Sequence, residues 1–340
     1  MNDPIKLSRR TFLFVPFALA ACKYGSSVLE ISGQTMGTSY AVIARDPGSA
    51  MGETEVKALV ESVLANVNAQ MSNWDTSSEV SLLNRDTRID EIAVSAELAQ
   101  VVASANAVNA ASDGQFDIAL GPLIEAWGFG ATPAIGLGPD ESAIETALAT
   151  ASRSAPLLVA DQHIRKTNAT SQINLAGIGK GHGVDRVAQV LKKNGFNDFM
   201  VEIGGDLVTS GQNPDGTDWQ IGIETPLAFD RRVQKVVGVS GYGMATSGDY
   251  RNYFEKDGQR YSHILDAKTG RPVTHNTSSA TVLTENAMMA DAWSTAMLTL
   301  GSQRGLEIAE DHDLAVMFID RGGDDAFVSK ASSRFDAIVG

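Results

Sequence analysis

Hydrophobic residues recur every three or four positions in four segments of the chain, which is the spacing of an amphipathic α-helix. The second segment follows Ser95, a residue type that often caps a helix N-terminus, and it stops at Asp113-Gly114. The third segment closes near Gly195. The periodic residues are Val56, Leu59, Val60, Val63, Leu64 and Val67; Leu98, Val101, Val102, Ala105 and Val108; Val184, Val187, Ala188 and Leu191; and the run from Ala287 to Leu300.

Six shorter apolar runs have the length and composition of β-strands. These runs are 28–31, 39–44, 199–203, 219–224, 233–239 and 314–319. Residues 131–139 are rich in Gly and Pro and predict a surface loop. The chain contains no internal repeat. Because helices and strands do not alternate regularly, we predict an α+β fold with mixed or antiparallel sheets flanked by helices.

The N-terminus has the features of a bacterial export signal. Three basic residues precede the apolar run 11–19, which is too short to span a membrane. The next residues, Leu19-Ala20-Ala21-Cys22, match a lipobox, in which the cysteine is lipidated and becomes the mature N-terminus. We therefore expect lipidation of Cys22, the only cysteine in the chain. The segment Ser8–Leu13 is also similar to a twin-arginine signal, and the alternative is an ordinary export signal with a chance arginine pair.

This N-terminus divides the chain into three parts. We predict a signal peptide at residues 1–21, a lipidated tether at 22–32 and a folded domain at 33–340. The domain is then expected on the periplasmic face of a bacterial membrane, held there by the lipid on Cys22.

The negative net charge of the chain restricts the ligands that it can bind. The 340-residue chain has a formal net charge of -14, which makes nucleic acid a poor partner because binding DNA or RNA requires neutralisation of phosphates. An anionic ligand would need local compensation from glycine amides, a lysine or a metal ion.

Such compensation is offered by the segment 174–185, NLAGIGKGHGVD, which contains four glycines and Lys180. The spacing fits neither a Walker A motif nor a dinucleotide-binding fingerprint. Glycines nevertheless allow a backbone to approach a ligand closely, and a helix beginning near Gly183 would direct its positive end at an anion. The alternative is a glycine-rich turn with a solvated lysine.

A second candidate is the apolar helix around Asp291. Asp291 and Thr295 are four residues apart and share one helix face. A carboxylate buried among apolar residues is costly unless it is paired or binds a metal, and a carboxylate with a hydroxyl is a hard-oxygen set suited to Mg²⁺. The alternative is that Asp291 caps a neighbouring helix or pairs with an arginine.

Further polar or aromatic residues stand in unusual places. His263 ends a strand just before the turn 266–270, where it could orient a ligand or move a proton. Asp117 lies between apolar neighbours, and Trp74 lies in a polar turn where it could stack on a flat ring. No Gly-x-Ser-x-Gly segment is present, which argues against an α/β-hydrolase.

Taken together, these segments resemble the ApbE family of flavin transferases, over residues 33–320. The fold that this resemblance implies is a two-lobed α+β domain. The matching segments, in order, are Met36-Gly37-Thr38, the block 113–130, the loop 174–185, Glu202-Ile-Gly-Gly-Asp206, the pair 245–251 and 262–270, and the helix segment 290–296.

The resemblance implies a reaction in which FAD is the substrate and a divalent cation, Mg²⁺, is the cofactor. FMN passes from FAD to a threonine hydroxyl of a target protein, and AMP is released. The implied targets are flavin-carrying subunits of membrane redox complexes with a short Ser/Thr acceptor motif. Two alternatives with the same pocket are a periplasmic FAD pyrophosphatase and an FAD-binding carrier.

The resemblance also assigns roles to individual residues. The metal ligands are the Gly177 carbonyl, the Asp291 carboxylate and the Thr295 hydroxyl, and the base is His263 or Asp291. The FAD-binding residues are Met36, Trp74, Gln115, Phe116, Asp117, Asn174, Lys180, His263, Ile264 and Leu265. Asn174 stands where the family commonly has an aspartate, which removes one negative charge near the metal. Gly179 and Ala267 also depart from the family pattern.

Overall fold

The fold is that of a computed structural model, which describes residues 28–48, 51–131, 138–151, 157–166, 168–227, 232–256, 259–323 and 326–340. The predicted signal peptide, Cys22 and most of the predicted loop 131–139 lie outside these ranges. Within the described ranges no helix is both long enough and apolar enough to cross a bilayer.

The regular elements are mixed in order, as predicted. The strands are Val28–Thr35 (β1), Thr38–Arg45 (β2), Glu91–Ala93 (β3), Leu158–Ala160 (β4), His163–Arg165 (β5), Phe199–Ile203 (β6), Asp206–Ser210 (β7), Trp219–Glu224 (β8), Val233–Val239 (β9), Gly243–Gly248 (β10), Tyr253–Lys256 (β11), Gln259–Ser262 (β12), Thr277–Thr284 (β13), Ala315–Arg321 (β14) and Phe327–Ala331 (β15). The helices are Glu53–Met71 (α1), Glu79–Arg85 (α2), Ala96–Ala111 (α3), Gly121–Ala126 (α4), Glu141–Thr150 (α5), Gly179–Lys193 (α6), Ala287–Asp311 (α7) and Ser333–Val339 (α8).

One large sheet organises the fold. It has eight strands in the order β1-β2-β6-β7-β10-β13-β14-β15, and every pairing in it is antiparallel. Three small sheets, β3-β5-β4, β8-β9 and β11-β12, are antiparallel as well. The α+β prediction is confirmed. The first five residues of β1 are the end of the segment that the sequence assigns to the tether.

Both faces of the large sheet are covered. On β14, Val316 and Phe318 pack into the core with α7 and α3, whereas Met317 and Ile319 pack on the opposite face against β8, β9 and α8. Side chains alternate between the two faces of a strand, so a strand covered on both faces is buried along most of its length. This arrangement accounts for the almost completely buried β13 and β14.

Two helices on one face of the sheet place the candidate site. The helix α7 packs against β10 and β13, and its N-terminal part packs against α6. It is interrupted at Gly301, whose φ of 74° and ψ of 165° are not helical, so the predicted helix 287–300 is its first segment.

The start of α6 differs from the prediction. The helix begins at Gly179 rather than near Gly183, so Lys180 and three further residues of the glycine-rich segment are helical. Close packing explains the glycines: a Cβ atom on Gly181 would lie 2.2 Å from the carbonyl oxygen of Ala287, and one on Gly183 would lie 2.7 Å from Cε of Met36. Tertiary packing here overrides the low helix propensity of glycine.

Candidate active site

The N-termini of α6 and α7 meet, and each is capped by an aspartate of the other helix. The backbone N–H of Gly181 donates to Oδ2 of Asp291 at 3.0 Å. In return, the N–H groups of Ala287 and Met288 donate to the two carboxylate oxygens of Asp185 at 2.8 and 2.9 Å. A carboxylate at a helix N-terminus is favoured by its free N–H groups and by the helix dipole. Asp291 therefore caps a neighbouring helix, and the cap occupies one of its two carboxylate oxygens.

Lys180 lies between two buried carboxylates. Its ammonium contacts Oδ2 of Asp206 and lies 3.5 Å from Oδ1 of Asp291. Asp206 and Asp291 are each 2% exposed. Burial by itself lowers the pKa of Lys180, but the two carboxylates outweigh it and leave that pKa above its ordinary value. Lys180 is thus a paired cation, and the interpretation of a solvated lysine is wrong.

Asp206 is a site residue that sequence reasoning did not assign. It is the first residue of β7 and follows the turn at Gly204 and Gly205. Burial and the neighbouring Asp291 raise the pKa of Asp206, while Lys180 acts in the opposite direction. The segment Glu202–Asp206, one of those that resemble the family, contains this aspartate, but only the fold brings it to Lys180.

The three residues assigned to metal binding lie together. A Cβ atom placed on Gly177 would be 3.0 Å from Oγ1 of Thr295 and 3.3 Å from Cε2 of Phe116. Thr295 follows Asp291 by one helical turn on α7. The Gly177 backbone and the Thr295 hydroxyl therefore lie side by side, and Asp291 lies one helical turn away on the same face of α7.

The donor chemistry of this place fits Mg²⁺. The described residues contain no cluster of three or more His, Cys, Asp or Glu side chains that could hold a metal. A cation here would instead have a mixed set of carboxylate, hydroxyl and carbonyl oxygens, which are ligands that Mg²⁺ accepts.

The segment 115–117 offers polar groups beside this place. Oε1 of Gln115 is buried and has no hydrogen-bond partner among the described residues, so it is available to a ligand. Asp117 accepts from the N–H of Ala119 at 2.7 Å at the start of a 3₁₀ turn, Ile118–Leu120, and burial raises its pKa. The ring of Phe116 is buried in the core.

Two asparagine side chains hold the backbone around Asn174. Asn84 both donates to the carbonyl of Ile173 and accepts from its N–H, each at 2.8 Å. Asn73 donates to the same carbonyl at 2.8 Å and accepts from the N–H of Leu175 at 2.9 Å. Asn174 accepts from the N–H of Ala176 at 2.9 Å, which orders the turn leading to Gly177.

Met36 packs on α6, whereas Trp74 is largely exposed to solvent. Met36 adopts a left-handed conformation, with a φ of 48°, in the turn between β1 and β2, and its side chain lies on Gly183 of α6. Trp74 follows Asn73 directly, and its side chain is 56% exposed. A largely exposed tryptophan beside a candidate site is free to cover a flat ligand.

His263 follows β12, as predicted. Its Nδ1 lies 3.1 Å from the carbonyl oxygen of Asn252, and because a carbonyl only accepts, Nδ1 carries the proton and Nε2 has the lone pair. Burial lowers the pKa of His263, and Lys180 acts in the same direction against Asn252 and Asp249. The side chains of Ile264 and Leu265 are buried in two core clusters, and the backbone of Ile264 is hydrogen-bonded to Ser262 and Val273.

The chain matches known proteins over nearly its whole length. A sequence model of the ApbE family matches residues 36–318. The FAD:protein FMN transferase of Haemophilus influenzae is 39% identical, over 95% of this chain and 94% of that protein, and the one of Vibrio cholerae is 38% identical, over 93% and 94%.

Solved structures agree with these sequence matches. The flavin transferase ApbE from Vibrio cholerae superposes with a TM-score of 0.85 at 36% identity, over 93% of this chain and all of that chain. The apo form of the Pseudomonas stutzeri flavinyl transferase ApbE gives a TM-score of 0.86 at 34% identity, over 94% and 99%. The chain therefore belongs to the ApbE family.

Proposed function

We propose that this protein transfers FMN from FAD to a hydroxyl group of a target protein. In this reaction the target oxygen forms a bond to the FMN phosphorus, the bond from that phosphorus to the bridging oxygen breaks, and AMP leaves with that oxygen. The hydroxyl proton passes to a base. The observation that carries the proposal is the meeting of Lys180, Asp291, Thr295 and Gly177 at the N-terminus of α6.

The charges of this pocket support a metal requirement. Lys180 contributes one positive charge, while Asp206 and Asp291 contribute up to two negative charges. A pyrophosphate placed beside the Asp291 carboxylate would be repelled by it unless a cation stood between them. Bound Mg²⁺ would neutralise the pyrophosphate and stabilise the departing AMP. The Asp291 carboxylate, the Thr295 hydroxyl and the Gly177 carbonyl are the groups that would hold it.

The protein groups position the substrate for this reaction. Phosphoryl transfer depends mostly on orientation and electrostatic stabilisation. Lys180 and the N-terminus of α6 attract the phosphates. The buried Oε1 of Gln115 and the exposed ring of Trp74 are proposed to contact the rest of FAD.

His263 is the better candidate for the base. Its imidazole is neutral near pH 7 because burial lowers its pKa, and its Nε2 has a free lone pair. Asp291 is less available, because one of its oxygens accepts from Gly181 and the other faces Lys180.

We further propose that the acceptor is a threonine in a flavin-carrying subunit of a membrane redox complex. The lipobox at Cys22 supports an exported, lipid-anchored enzyme on the periplasmic face, where such subunits are accessible. The acceptor and the location are consistent with each other, because a membrane-tethered enzyme encounters membrane-bound targets readily.

One assay separates transfer from the two alternatives. Purified protein is mixed with FAD, Mg²⁺ and an acceptor domain that carries the Ser/Thr motif, and a Thr→Val acceptor serves as the control. Transfer adds the mass of one FMN less one water to the acceptor and nothing to the control. Free FMN and AMP without a mass increase would indicate a pyrophosphatase, and unchanged FAD would indicate a carrier. Excess EDTA should abolish transfer.

A further inference from the structure

A row of three hydroxyl groups connects β10 to α7 beside the candidate cation site. Oγ of Ser247, on β10, lies 2.9 Å from Oγ of Ser294 and 3.2 Å from Oγ1 of Thr295. At the inner end of the row, Ser294 donates to the backbone carbonyl of Asp291 at 2.9 Å. Ser294 is 1% exposed, so water has little access to that end.

Only one arrangement of protons satisfies all three contacts. A carbonyl oxygen accepts but cannot donate, so the single proton of Ser294 goes to Asp291. Ser247 must then donate to Ser294, and Thr295 must donate to Ser247. Any other arrangement loses one hydrogen bond. The proton of Thr295 therefore faces Ser247, and its lone pairs remain for the side on which Gly177 approaches Oγ1.

We propose that Ser247 is a positioning residue for the cation site. It accepts the Thr295 proton and so presents the lone pairs of Oγ1, rather than its proton, to the cation. This inference rests on the proposed function, because it concerns the same metal. A hydroxyl ligand binds a cation through its lone pairs, and groups that orient metal ligands commonly affect metal affinity by about 10–100-fold.

Metal binding tests the proposal without catalysis. Mn²⁺ alone is titrated into the purified protein, and free Mn²⁺ is measured by electron paramagnetic resonance. We expect Ser247→Ala to weaken Mn²⁺ binding roughly tenfold and Ser247→Thr, which keeps the hydroxyl, to restore it. Ser294→Ala should weaken binding in the same direction, because Ser247 then turns its proton towards Thr295. That effect is diagnostic, since the Ser294 hydroxyl is not among the proposed metal ligands.

Thr246→Val provides the matched control. Thr246 precedes Ser247 on β10, and its hydroxyl lies 2.8 Å from that of Thr281 on β13. The substitution removes this hydrogen bond without changing the row of three hydroxyl groups. This variant should bind Mn²⁺ like the wild type, and every variant should remain folded at the temperature of the titration. Equal Mn²⁺ affinity of the wild type and Ser247→Ala would overturn this inference alone. Absence of Mn²⁺ binding by the wild type would overturn both it and the proposed metal requirement.

Discussion

Asp291 on α7 accepts a hydrogen bond from the backbone N–H of Gly181 on α6, at 3.0 Å. The same carboxylate faces Lys180 with its other oxygen. One buried side chain thus fixes the junction of two helices and supplies the negative charge of the proposed cation site. Substitutions of Asp291 therefore change both stability and chemistry, and a pair of variants is needed to separate the two effects.

Asp291→Asn and Asp291→Ala provide that pair. Both remove the carboxylate charge, so we expect each to lower transfer at least 100-fold. Asn retains an oxygen for the Gly181 N–H, whereas Ala leaves that buried donor unpaired, at a cost of about 1–3 kcal/mol in the free energy of unfolding. Urea unfolding and the transfer rate, measured on both proteins, check this. Substantial transfer by Asp291→Asn would show that the charge is dispensable.

Lys180 compensates two buried carboxylates. In Lys180→Met they remain without their cation, so we expect a loss of about 2–3 kcal/mol in the free energy of unfolding, below the cost in a wholly buried pair because the Lys180 side chain is partly exposed. The double variant Lys180→Met/Asp206→Asn should recover much of that stability without recovering transfer. Unfolding curves and transfer rates of the single and double variants form the measurement. Recovery of transfer in the double variant would contradict a direct role of Lys180 at the pyrophosphate.

His263 is expected to act in the chemical step. The substitution His263→Gln should lower kcat about 10²–10⁴-fold and leave the KM for FAD within about threefold of the wild type. His275→Gln is the control, because His275 also contacts a backbone carbonyl, that of Thr299 at 3.3 Å, but lies outside the candidate site. Initial transfer rates at varied FAD concentrations measure both constants. Equal loss of kcat in the two variants would argue against a specific role for His263.

His182 on α6 is expected to make the fold sensitive to acid. Burial lowers its pKa from 6.5 to about 4, with Arg186 acting in the same direction, and its Nε2 is buried without a described partner. Below pH 6.5 this histidine therefore binds a proton in the unfolded chain but not in the folded protein. The free energy of unfolding decreases as the pH is lowered from about 6.5 to about 4. Between pH 7 and pH 5 this costs about 2 kcal/mol.

The substitution His182→Phe removes this contribution. Its free energy of unfolding should fall less than that of the wild type between pH 7 and pH 5, by about 2 kcal/mol. His163→Phe, at an exposed position on β5, should retain the wild-type pH dependence. Urea titrations at the two pH values decide the matter, and an unchanged pH dependence in His182→Phe would refute the assignment.

Helix caps and hydrophobic periodicity along the sequence predicted a helix start and several strands correctly. Ser95 caps α3 through a hydrogen bond from the N–H of Leu98, and the strands 199–203, 219–224 and 233–239 have the predicted bounds. The strand β13 was not predicted, because it is rich in Ser and Thr and reveals its burial only between two neighbouring strands.

The site could be predicted only in part. The helical spacing of Asp291 and Thr295 brought out that pair, and its place at a strand end brought out His263. The resemblance to the family added Gly177. Asp206, Asp185 and Ser247 were missed as site residues because their partners lie far along the chain: Asp206 meets Lys180, Asp185 meets Ala287, and Ser247 meets Thr295. The start of α6 was misplaced because its glycines serve a helix–helix contact.

A crystal structure of the purified protein with FAD and Mn²⁺ tests the central claim most directly. We predict an anomalous Mn²⁺ peak at bonding distance, about 2.0–2.4 Å, from the Asp291 carboxylate and from Oγ1 of Thr295, with the pyrophosphate of FAD beside Lys180. A pyrophosphate bound elsewhere, or a Mn²⁺ peak that contacts neither Asp291 nor Thr295, would contradict it.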